Sequence, residues 1–310
     1  MDGAVRVVDH PDPAPGVGEV LVQVRAAGVN NADLLQVAGF YPAPPGSPPD
    51  IPGLELAGEV VGVGPEARRF AVGDRVMAVV GGGGQAELAV VHERAALPVP
   101  AGLSWEEAGA LPEAYTTAHD ALFTQAGLAV GERVCIHGAA GGVGTAAVHL
   151  ASAAGARVVA TVRNPALRDA VAALGPNVVA VEPDGFERHG PFDVVLELIG
   201  ATNLPGDLDA LAEGGHVVVI GVGAGAAAEV NLLTLMARRG RISGSTLRAR
   251  PLEGKAAAAR LVERHVLPLF EAGARVPIAA TFPLDDVAAA YERFAAGGKL
   301  GKIVLTVPTG

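Results

Sequence analysis

The feature that most constrains the fold is a glycine-rich turn between a short apolar run and a helical one. Residues 134–136 are apolar, residues 138–144 read Gly-Ala-Ala-Gly-Gly-Val-Gly, and a helical pattern continues from Thr145. Apolar side chains then recur at helical spacing along one narrow face, and a second apolar run follows at residues 158–160. This order predicts a right-handed strand–turn–helix–strand unit whose helix packs on a parallel sheet.

The same turn has the composition of a dinucleotide-binding site. A backbone that turns sharply and lets a pyrophosphate approach its N–H groups cannot carry Cβ atoms at the closest points. The N-terminus of the following helix adds unpaired donors and a partial positive charge. The pattern G-x-G-x-x-G falls on Ala139, Gly141 and Gly144, so its first position departs from glycine. A glycine-rich turn that binds nothing is the alternative interpretation.

The end of the second strand indicates which dinucleotide is bound. An NAD site places a carboxylate about 20 residues beyond the glycines, where it holds the ribose 2′-hydroxyl. Here Arg163 stands at that distance, Arg168 follows, and no acidic residue lies between Val158 and Arg168. A guanidinium can pair with a 2′-phosphate in bidentate fashion, which favours NADPH. The alternative is that Arg163 is a solvated loop residue.

Composition limits the class of protein. The chain has 310 residues, a net charge of -10 and a single Cys. It contains no apolar run near the roughly 18 residues that cross a bilayer, and the opening Met1-Asp2-Gly3-Ala4 lacks a signal-peptide pattern. We therefore expect a cytoplasmic protein without a disulfide framework, a nucleic-acid partner or a membrane partner.

Two kinds of pattern divide the chain. Up to about residue 100, short β-rich runs, the first at residues 5–8, alternate with Pro and Gly turns, which predicts a partly open β-barrel. A capping box from Ser104 to Glu107 begins the helices that lead to the glycine-rich turn. Later strands alternate with helices, which predicts a doubly wound sheet of six strands over residues 115–251. One long helix over residues 252–272 and a final strand return the chain to the barrel, so residues 1–114 and 252–310 form a split domain.

Several segments resemble a known family when they are taken in order. They are Asn30-Asn31-Ala32-Asp33-Leu34-Leu35-Gln36, Gly39-Phe40-Tyr41-Pro42, Gly83-Gly84-Gln85-Ala86, Leu111-Pro112-Glu113-Ala114, the glycine-rich turn itself, Arg239-Gly240-Arg241-Ile242 and Gly301-Lys302-Ile303-Val304-Leu305. The chain resembles the zinc-independent quinone oxidoreductases of the medium-chain dehydrogenase/reductase superfamily, and within them the tumour-suppressor-inducible quinone oxidoreductase subfamily. The resemblance implies an α/β protein, with a GroES-like β-barrel catalytic domain and a Rossmann domain that binds NADP.

The resemblance also implies functional residues. NADPH would lie in the cleft between the domains, and a quinone or another electrophilic acceptor would be reduced there. The implied catalytic residues are Asn30, Asp33 and Tyr41, which shape the quinone pocket. The implied cofactor-binding residues are Asn30, Thr117, Gly138, Ala139, Gly141, Gly142, Val143, Gly144, Arg163, Arg168, Gly221, Val222 and Lys302. The family further implies a homodimer in which the strand at residues 241–246 pairs with its two-fold mate.

The chain departs from its wider superfamily in ways that affect the chemistry. Zinc alcohol dehydrogenases carry a Cys after the position of Gly28 and a His before Glu55, whereas this chain has Asn30, Asn31 and Leu54 there. With one Cys it cannot form a four-Cys structural zinc lobe, so we expect no metal. Gly141 stands where the subfamily often carries Ser. The sequence also begins about one β-hairpin later than is usual in the family.

The chemistry of a quinone acceptor makes few demands. A quinone takes a hydride from the nicotinamide and can collect its proton from solvent, so no buried acid–base pair is required. Asn30, Tyr41 and Lys302 are candidates to donate hydrogen bonds where oxyanion charge develops. Each candidate has a simpler interpretation: Asn30 as a turn residue, Asp33 as a helix cap and Tyr41 as a pocket wall.

Three functions follow from these observations. The first is an NADPH:quinone reductase, acting by one-electron or two-electron steps. The second is an NADPH-dependent reductase of activated C=C bonds in enones or enals, which needs a positioned proton donor such as Tyr41. The third is a non-catalytic NADPH-binding protein.

Overall fold

The computed structural model describes residues 5–308, so the opening tetrapeptide discussed above lies outside the described residues. The strands are β1 (Glu19–Val29), β2 (Glu55–Val63), β3 (Arg75–Val79), β4 (Leu88–His92), β5 (Ala96–Pro98), β6 (Arg133–Ile136), β7 (Arg157–Thr161), β8 (Val178–Val181), β9 (Phe192–Glu197), β10 (Leu211–Val219), β11 (Arg241–Gly244), β12 (Ile278–Pro283) and β13 (Lys302–Thr306). The α-helices are α1 (Asn31–Val37), α2 (Trp105–Ala110), α3 (Pro112–His119), α4 (Gly142–Ala153), α5 (Arg168–Ala172), α6 (Leu204–Asp209), α7 (Leu232–Arg238), α8 (Leu252–His265), α9 (Leu267–Glu271) and α10 (Val287–Ala295).

These elements form two compact units. The first runs to Thr116, resumes over Leu247–Gly298 and continues from Lys302. The second comprises Thr117–Thr246 together with Lys299–Gly301. The three residues Lys299–Gly301 join the second unit because the Gly301 amide donates to the carbonyl oxygen of Ala140 at 2.8 Å. Among the described residues, none of the helices has the length and apolar character needed to cross a membrane.

The first unit is built around β1, whose alternate side chains are buried. Its sheet has the order β12-β13-β1-β2-β3-β5, and β4 also pairs with β1. All the pairs are antiparallel except β12 with β13. Apolar side chains from β1, β2, β3, α10 and β13 share one core, as expected where period-2 strands curl over a single hydrophobic interior. The predicted GroES-like β domain is confirmed.

Three strand ends meet in the first unit. Val29, at the end of β1, pairs with Ile303 of β13, so Lys302 lies beside the residues that follow β1. Ala26 of β1 pairs with Ala57 of β2, which brings the start of β2 level with Gly28. This register places Asn30, Glu55 and Lys302 together.

The second unit is a parallel sheet of six strands in the order β11-β10-β9-β6-β7-β8. Every pair in this order is parallel, and Cys135, Val195 and Val217 lie in the core on one of its faces. The chain reverses its direction of winding between β6 and β9, and the carboxyl ends of strands at such a point form the usual nucleotide crevice. The predicted doubly wound α/β sheet is confirmed.

Two element predictions are wrong in detail. The single helix expected over residues 252–272 is two helices that meet at Val266, because Pro268, near the start of α9, has no N–H for a continuing ladder. The strand expected over residues 5–8 is absent from this part of the chain, where Val7 and Val8 are about half exposed. A β-prone run without a ladder partner gains no sheet hydrogen bonds.

Candidate functional site

The glycine-rich turn joins β6 to α4 at the carboxyl edge of the parallel sheet. Gly138 has a φ of 63°, and its carbonyl oxygen accepts from the Gly141 amide at 3.0 Å. Gly141 is the N-cap of the 12-residue helix α4, and its own side chain offers nothing to the first-turn amides. The first turn of α4 therefore presents backbone amides without a side-chain cap at the positive end of the helix, where anions bind.

Two glycines of the turn differ in how much room they have. A Cβ atom on Gly144 would lie 2.4 Å from the carbonyl oxygen of Gly138 and 2.6 Å from Cα of Ala139. A Cβ atom on Gly141 would meet only the Gly138 carbonyl oxygen, at 3.4 Å. Gly144 is thus required for packing of the turn, whereas Gly141 leaves open the space that a pyrophosphate would use.

The two arginines after β7 have different surroundings. Arg163 is exposed, two residues beyond the end of the strand. Arg168 is half-buried, and its Nε donates to the carbonyl oxygen of Val162 at 3.2 Å. Arg168 therefore holds the backbone of the segment from which the Arg163 side chain extends into solvent.

The remaining predicted cofactor residues of the second unit lie on two segments. Gly221 and the half-exposed Val222 follow β10, and the Gly221 amide donates to the Glu197 carbonyl oxygen at 3.1 Å. A Cβ atom on Gly221 would lie 2.1 Å from the Leu198 carbonyl oxygen, so only glycine fits there. Thr117 is buried in α3.

In the first unit, a buried ion pair links two predicted site residues to one that the sequence did not single out. The ammonium group of Lys302 donates to Oε1 of Glu55 at 2.5 Å and to Oδ1 of Asn30 at 2.6 Å. Its third contact is the Val29 carbonyl oxygen at 3.4 Å. The Lys302 and Glu55 side chains are 4% and 0% exposed. All three N–H bonds of Lys302 therefore have acceptors within the chain.

Asn30 and Glu55 complete this network. Nδ2 of Asn30 donates to Oε1 of Glu55 at 2.9 Å, and the second oxygen of Glu55 accepts from the Glu113 amide at 2.9 Å. A Cβ atom on Gly28 would lie 2.2 Å from Oε1 of Glu55. Glycine at position 28 is what allows this carboxylate to lie against β1.

Asp33 is placed as a fully buried capping residue. Its Oδ2 accepts from the Asn30 amide at 2.8 Å and its Oδ1 from the Gly53 amide at 3.0 Å, and Gln85 adds a weaker contact at 3.4 Å. Burial raises the pKa of the Asp33 carboxyl to about 7, against the lowering effect of the two amides and of Lys302. This geometry agrees with the interpretation of Asp33 as a helix cap.

Tyr41 belongs to a second group, which is organised by Arg248. The guanidinium lies over the Tyr41 ring, 4.9 Å from its centroid, and donates to the Tyr41 carbonyl oxygen at 2.8 Å. It also donates to the Gly81 carbonyl oxygen at 2.8 Å and to the Gln36 side chain. Arg248 is 3% exposed, and its burial lowers the pKa of the guanidinium. Burial likewise raises the pKa of Tyr41.

Comparison with known proteins identifies the family. A model described as "Alcohol dehydrogenase GroES-like domain" matches residues 16–101, and one described as "Zinc-binding dehydrogenase" matches residues 142–264. Quinone oxidoreductase of Mus musculus is 33% identical, over 94% of this chain and 90% of that protein. The chain belongs to the medium-chain dehydrogenase/reductase superfamily.

Other members of this superfamily, and proteins that contain a similar segment, extend the comparison. The solved structure of quinone oxidoreductase from Thermus thermophilus, also determined with NADPH, has a TM-score of 0.83 and 36% identity, over 96% of this chain and 95% of that one. Erythronolide synthase EryA2 of Saccharopolyspora erythraea is 40% identical over 99% of this chain. The chain spans only 9% of the length of that synthase.

The name of the second family model implies zinc, but the residues of the first unit at the two positions compared above with zinc ligands do not fit it. Zinc sites are made of Cys, His and carboxylate ligands, whereas Asn30 and Leu54 stand at the two positions compared above with zinc ligands, and the Lys302 ammonium lies against Glu55 there. Cys135 is buried in β6. A cation fixed on Glu55 opposes a second positive charge at the same place.

The structure brings together Asn30, Asp33 and Lys302, and it groups Tyr41 separately with Arg248. Sequence reasoning missed Glu55 and Arg248 as members of these groups. For Glu55 a faint signal exists, since this acidic residue directly follows Gly53-Leu54 and precedes the uncharged run Leu56-Ala57-Gly58. No local pattern distinguishes Arg248 from the nearby Arg250.

Proposed function

We propose that this chain is a zinc-independent NADPH:quinone oxidoreductase. The similarity to quinone oxidoreductases of mouse and Thermus thermophilus, each covering at least nine-tenths of the relative, supports this proposal. When it is bound, the reduced nicotinamide supplies a hydride to the acceptor. The substrate would be a small electrophilic molecule.

The residues that would hold the cofactor follow from the geometry of the second unit. The first-turn amides of α4, at Gly142 and Val143, would bind the pyrophosphate, which would approach over Gly141. Exposed Arg163 would pair with the 2′-phosphate, and Arg168 would hold the backbone beside it. We propose further contacts from Thr117, Gly221 and Val222, and from Asn30 and Lys302 of the first unit.

One observation favours a quinone over a C=C acceptor. Each N–H bond of Lys302 already has an acceptor in Glu55, Asn30 or Val29, so delivery of a proton from this buried ammonium to a substrate carbon would first have to break one of these hydrogen bonds. Reduction of an alkene needs such a positioned donor, whereas a quinone oxygen can take its proton from water. The proposed role of Lys302 is therefore electrostatic: it fixes the orientation of the Asn30 amide beside the reacting groups.

The other proposed site residues then have distinct roles. Both N–H bonds of the Asn30 amide have acceptors in Glu55 and Gly28, so Asn30 would accept a hydrogen bond from the nicotinamide carboxamide through Oδ1. Tyr41, whose ring lies under the Arg248 guanidinium, would form an apolar wall. Asp33 has both oxygens occupied by backbone amides, so we propose that it positions Asn30. The same Lys302–Glu55 pair argues that the reaction proceeds without zinc.

A second candidate is reduction of an activated C=C bond in an enone or enal. The similarity to a segment of a protein named erythronolide synthase, a name that mentions no quinone, favours this candidate. Its proton donor would have to be a group other than Lys302, such as the Tyr41 hydroxyl.

We also propose that the chain forms a homodimer through the edge of the parallel sheet. β11 is the last strand in that sheet, and the adjoining α7 exposes Leu232, Leu233 and Met236 by 66%, 77% and 70%. A symmetric pair would continue the sheet and cover these side chains.

The testing experiment follows cofactor oxidation with NADPH or NADH against 9,10-phenanthrenequinone and 2-hexenal. We expect turnover of the quinone and a strong preference for NADPH. Arg163→Ala should raise KM for NADPH by roughly 10- to 100-fold, as expected for loss of charge-assisted hydrogen bonds, and should leave KM for NADH unchanged. Arg157→Ala, at the opposite end of β7, is the matched control.

The outcomes separate the candidates. Turnover of 2-hexenal alone would indicate that the protein is a C=C reductase. Equal use of NADH and NADPH would contradict the proposed phosphate-binding role of Arg163. Cofactor binding without turnover of either acceptor would favour a non-catalytic protein.

A further inference from the structure

Beneath the glycine-rich turn, the second unit buries a cluster of titratable side chains that the proposed reaction does not use. His137 follows β6, Glu197 ends β9 and Asp207 lies in α6. None of the three is exposed, and their ligand-type atoms lie within 4.8 Å of one another. Cys135 is the fourth titratable group in contact with them, and its sulfur lies 3.7 Å from Nε2 of His137.

The histidine of this cluster is held as a cation. Its Nε2 lies 2.8 Å from Oδ1 of Asp207 and its Nδ1 lies 3.1 Å from Oγ1 of Thr161, and the edge of its ring meets Phe186. Burial alone would lower the pKa of His137, but the Asp207 hydrogen bond and Cys135 raise it to about 11. His137 and Asp207 therefore form an internally neutral pair.

Glu197 adds a carboxyl group that this pair does not neutralise. Its Oε1 accepts from the amides of Ile199 and Gly200, the latter at 2.7 Å. Its Oε2 and the Oδ2 of Asp207 are buried, and among the described residues neither has a hydrogen-bond donor. Burial of two carboxylates whose ligand atoms lie within 4.8 Å of each other, each with an oxygen that has no donor in the described part of the chain, is unfavourable. A single proton between them supplies one donor and one acceptor and satisfies both. Burial raises the pKa of Asp207, and the charge of Glu197 raises it further.

This cluster is connected to every proposed cofactor segment of the parallel sheet. His137 directly precedes Gly138, and its amide donates to the Leu196 carbonyl oxygen at 3.0 Å. Thr161 ends the strand that leads to Arg163. Glu197 holds the turn at residues 198–200, and the Ile199 side chain fills the space beside Gly138, 2.9 Å from the position of a Cβ atom.

Residues 198–200, whose amides Glu197 binds, are linked by hydrogen bonds to the segment after β10. The Ala224 amide donates to the Ile199 carbonyl oxygen at 2.8 Å, and the Ala201 amide to the Gly225 carbonyl oxygen at 3.0 Å. The main-chain oxygen of Glu197 accepts from the amides of Ile220 and Gly221. A change at Glu197 is thus transmitted to Gly221 and Val222 by consecutive hydrogen bonds.

We propose that Glu197 and Asp207 share one buried proton, and that the resulting Glu197–Asp207–His137 cluster is the positioning element that fixes the cofactor-binding turns of the second unit. We call these three positioning residues because their side chains are buried and cannot contact a bound ligand. The inference rests on the proposed function only in that those turns bind a dinucleotide.

The test compares Glu197→Gln with Glu197→Leu. A Gln side chain keeps the acceptor for the amides of Ile199 and Gly200 and offers an N–H to Asp207, so it reproduces the protonated carboxyl group. A Leu side chain offers neither. We expect Glu197→Leu to raise the NADPH Kd, measured by cofactor fluorescence without any acceptor, by at least about tenfold, since buried N–H groups lose their partners. Glu197→Gln should restore binding to within about twofold of the unmodified protein. Glu182→Gln, an exposed substitution just after β8, is the control.

Two readouts make the result independent of catalysis. Infrared difference spectra between the unmodified protein and each variant, all without cofactor, should contain the carbonyl stretch of a buried protonated carboxyl group for Glu197→Gln and Asp207→Asn but not for Glu182→Gln. The band of Asp33, whose buried carboxyl group also has a raised pKa, cancels in these differences. Hydrogen exchange of the amides at residues 198–200 should accelerate in Glu197→Leu and remain slow in Glu197→Gln.

Three results would overturn the inference: a Gln variant as impaired as the Leu variant, absence of the carboxyl band from the difference spectra of Glu197→Gln and Asp207→Asn, or a stoichiometric divalent metal that is lost in Glu197→Gln. If quinone turnover fails while the band and the Gln rescue are observed, only the proposed function is wrong. If the unmodified protein binds no dinucleotide, the positioning role is wrong as well, and the band and the exchange rates decide whether the proton is shared.

Discussion

Asp33 lies at the start of α1 and combines a structural role with an unusual ionisation. The carboxyl group is fully buried and caps two backbone amides, from Asn30 and Gly53. Burial raises its pKa from 3.8 to about 7. The folded protein therefore retains this proton at pH values where the unfolded chain has already released it.

Protein stability should consequently depend on the ionisation of Asp33. For a group whose folded pKa is raised, the stabilising contribution is complete below the unfolded pKa, here 3.8, and is lost as the pH rises through about 7. At 1.36 kcal/mol for each pKa unit, the contribution to the free energy of unfolding that is lost between pH 4 and pH 8 amounts to about 4 kcal/mol. We expect Asp33→Asn to be less stable overall. Its free energy of unfolding, measured with urea, should change less between pH 4 and pH 8 than that of the unmodified protein.

Asp50→Asn is the matched control for this measurement, because Asp50 is exposed in the same unit. Its unfolding free energy should follow the unmodified protein at every pH. Parallel pH profiles for Asp33→Asn and the unmodified protein would contradict the raised pKa.

The residues of the site differ in how far the sequence could predict them. Asn30 and Asp33 are three positions apart, a spacing that indicates a helix cap, and the structure places them as a reciprocal cap. The contact between Lys302 and Glu55 joins residues that are far apart in the chain, and no local pattern encodes such a pair. Arg248 could not be predicted for the same reason, since its acceptors lie on α1, on the loop after α1 and on the loop after β3, all more than 160 residues earlier in the chain. Glu197 and Asp207 also escaped notice, because single acidic residues at the ends of strands and helices are common.

In the turn before α4, two glycines serve different purposes. One is needed for packing of the turn, and the other leaves space for a ligand. Gly144 is needed because the Gly138 carbonyl oxygen and the Ala139 backbone occupy the space of its Cβ atom. Gly141 is not needed for packing, and the space above it is open. One substitution should therefore affect folding and the other ligand binding.

We expect Gly144→Ala to lower the free energy of unfolding by about 1–3 kcal/mol, as for other overpacked sites, and to abolish dinucleotide binding with it. Gly141→Ala should leave stability within about 0.5 kcal/mol and still weaken NADPH binding, because its methyl group fills the path of the pyrophosphate. Urea unfolding and cofactor fluorescence measure the two effects separately. Equal loss of stability in both variants would contradict this division.

Elements with strong local periodicity were predicted, and those that depend on distant partners were not. Short apolar runs predicted the parallel strands, and helical spacing of apolar residues predicted the helix after the turn. The break between α8 and α9 was missed, because the amphipathic pattern continues through Val266 while Pro268 interrupts the hydrogen bonding. The β-prone run at residues 5–8 carried no information about whether a neighbouring strand would pair with it.

For the whole molecule, the proposed dimer makes the clearest prediction. Leu233, on α7 beside the edge strand β11, has 77% of its surface exposed in the single chain. Leu233→Asp would place a charge in the proposed two-fold contact, where it would be desolvated without a partner. We expect the unmodified protein to sediment as a dimer at micromolar concentration and Leu233→Asp to sediment as a monomer with unchanged circular dichroism.

Val130→Asp provides the control, because Val130 has an equally exposed side chain, at 82%, in the loop before β6. This variant should remain a dimer. A monomeric unmodified protein would overturn the proposal, and a dimer that survives Leu233→Asp would assign the contact to another surface.

We propose that the two units are separate domains, with the chain passing between them near residues 115 and 251. The two units differ in the sequence separation between strands that pair with each other. All six strands of the parallel sheet lie between Arg133 and Gly244, whereas the barrel pairs Val29 with Ile303, more than 270 residues later. Pairing over such a distance is slow, and it cannot begin before both partners exist.

This difference has a consequence for synthesis on the ribosome. The parallel sheet can finish folding while the residues after Gly244 are still being translated, but the first sheet must wait with an open edge at the end of β1. During that interval Glu55 lacks the ammonium group that neutralises it in the finished protein. Arrival of Lys302 therefore closes the strand pairing and neutralises Glu55 in the same step, so a ribosome that stalls shortly before residue 302 would leave the nascent barrel both unpaired and negatively charged.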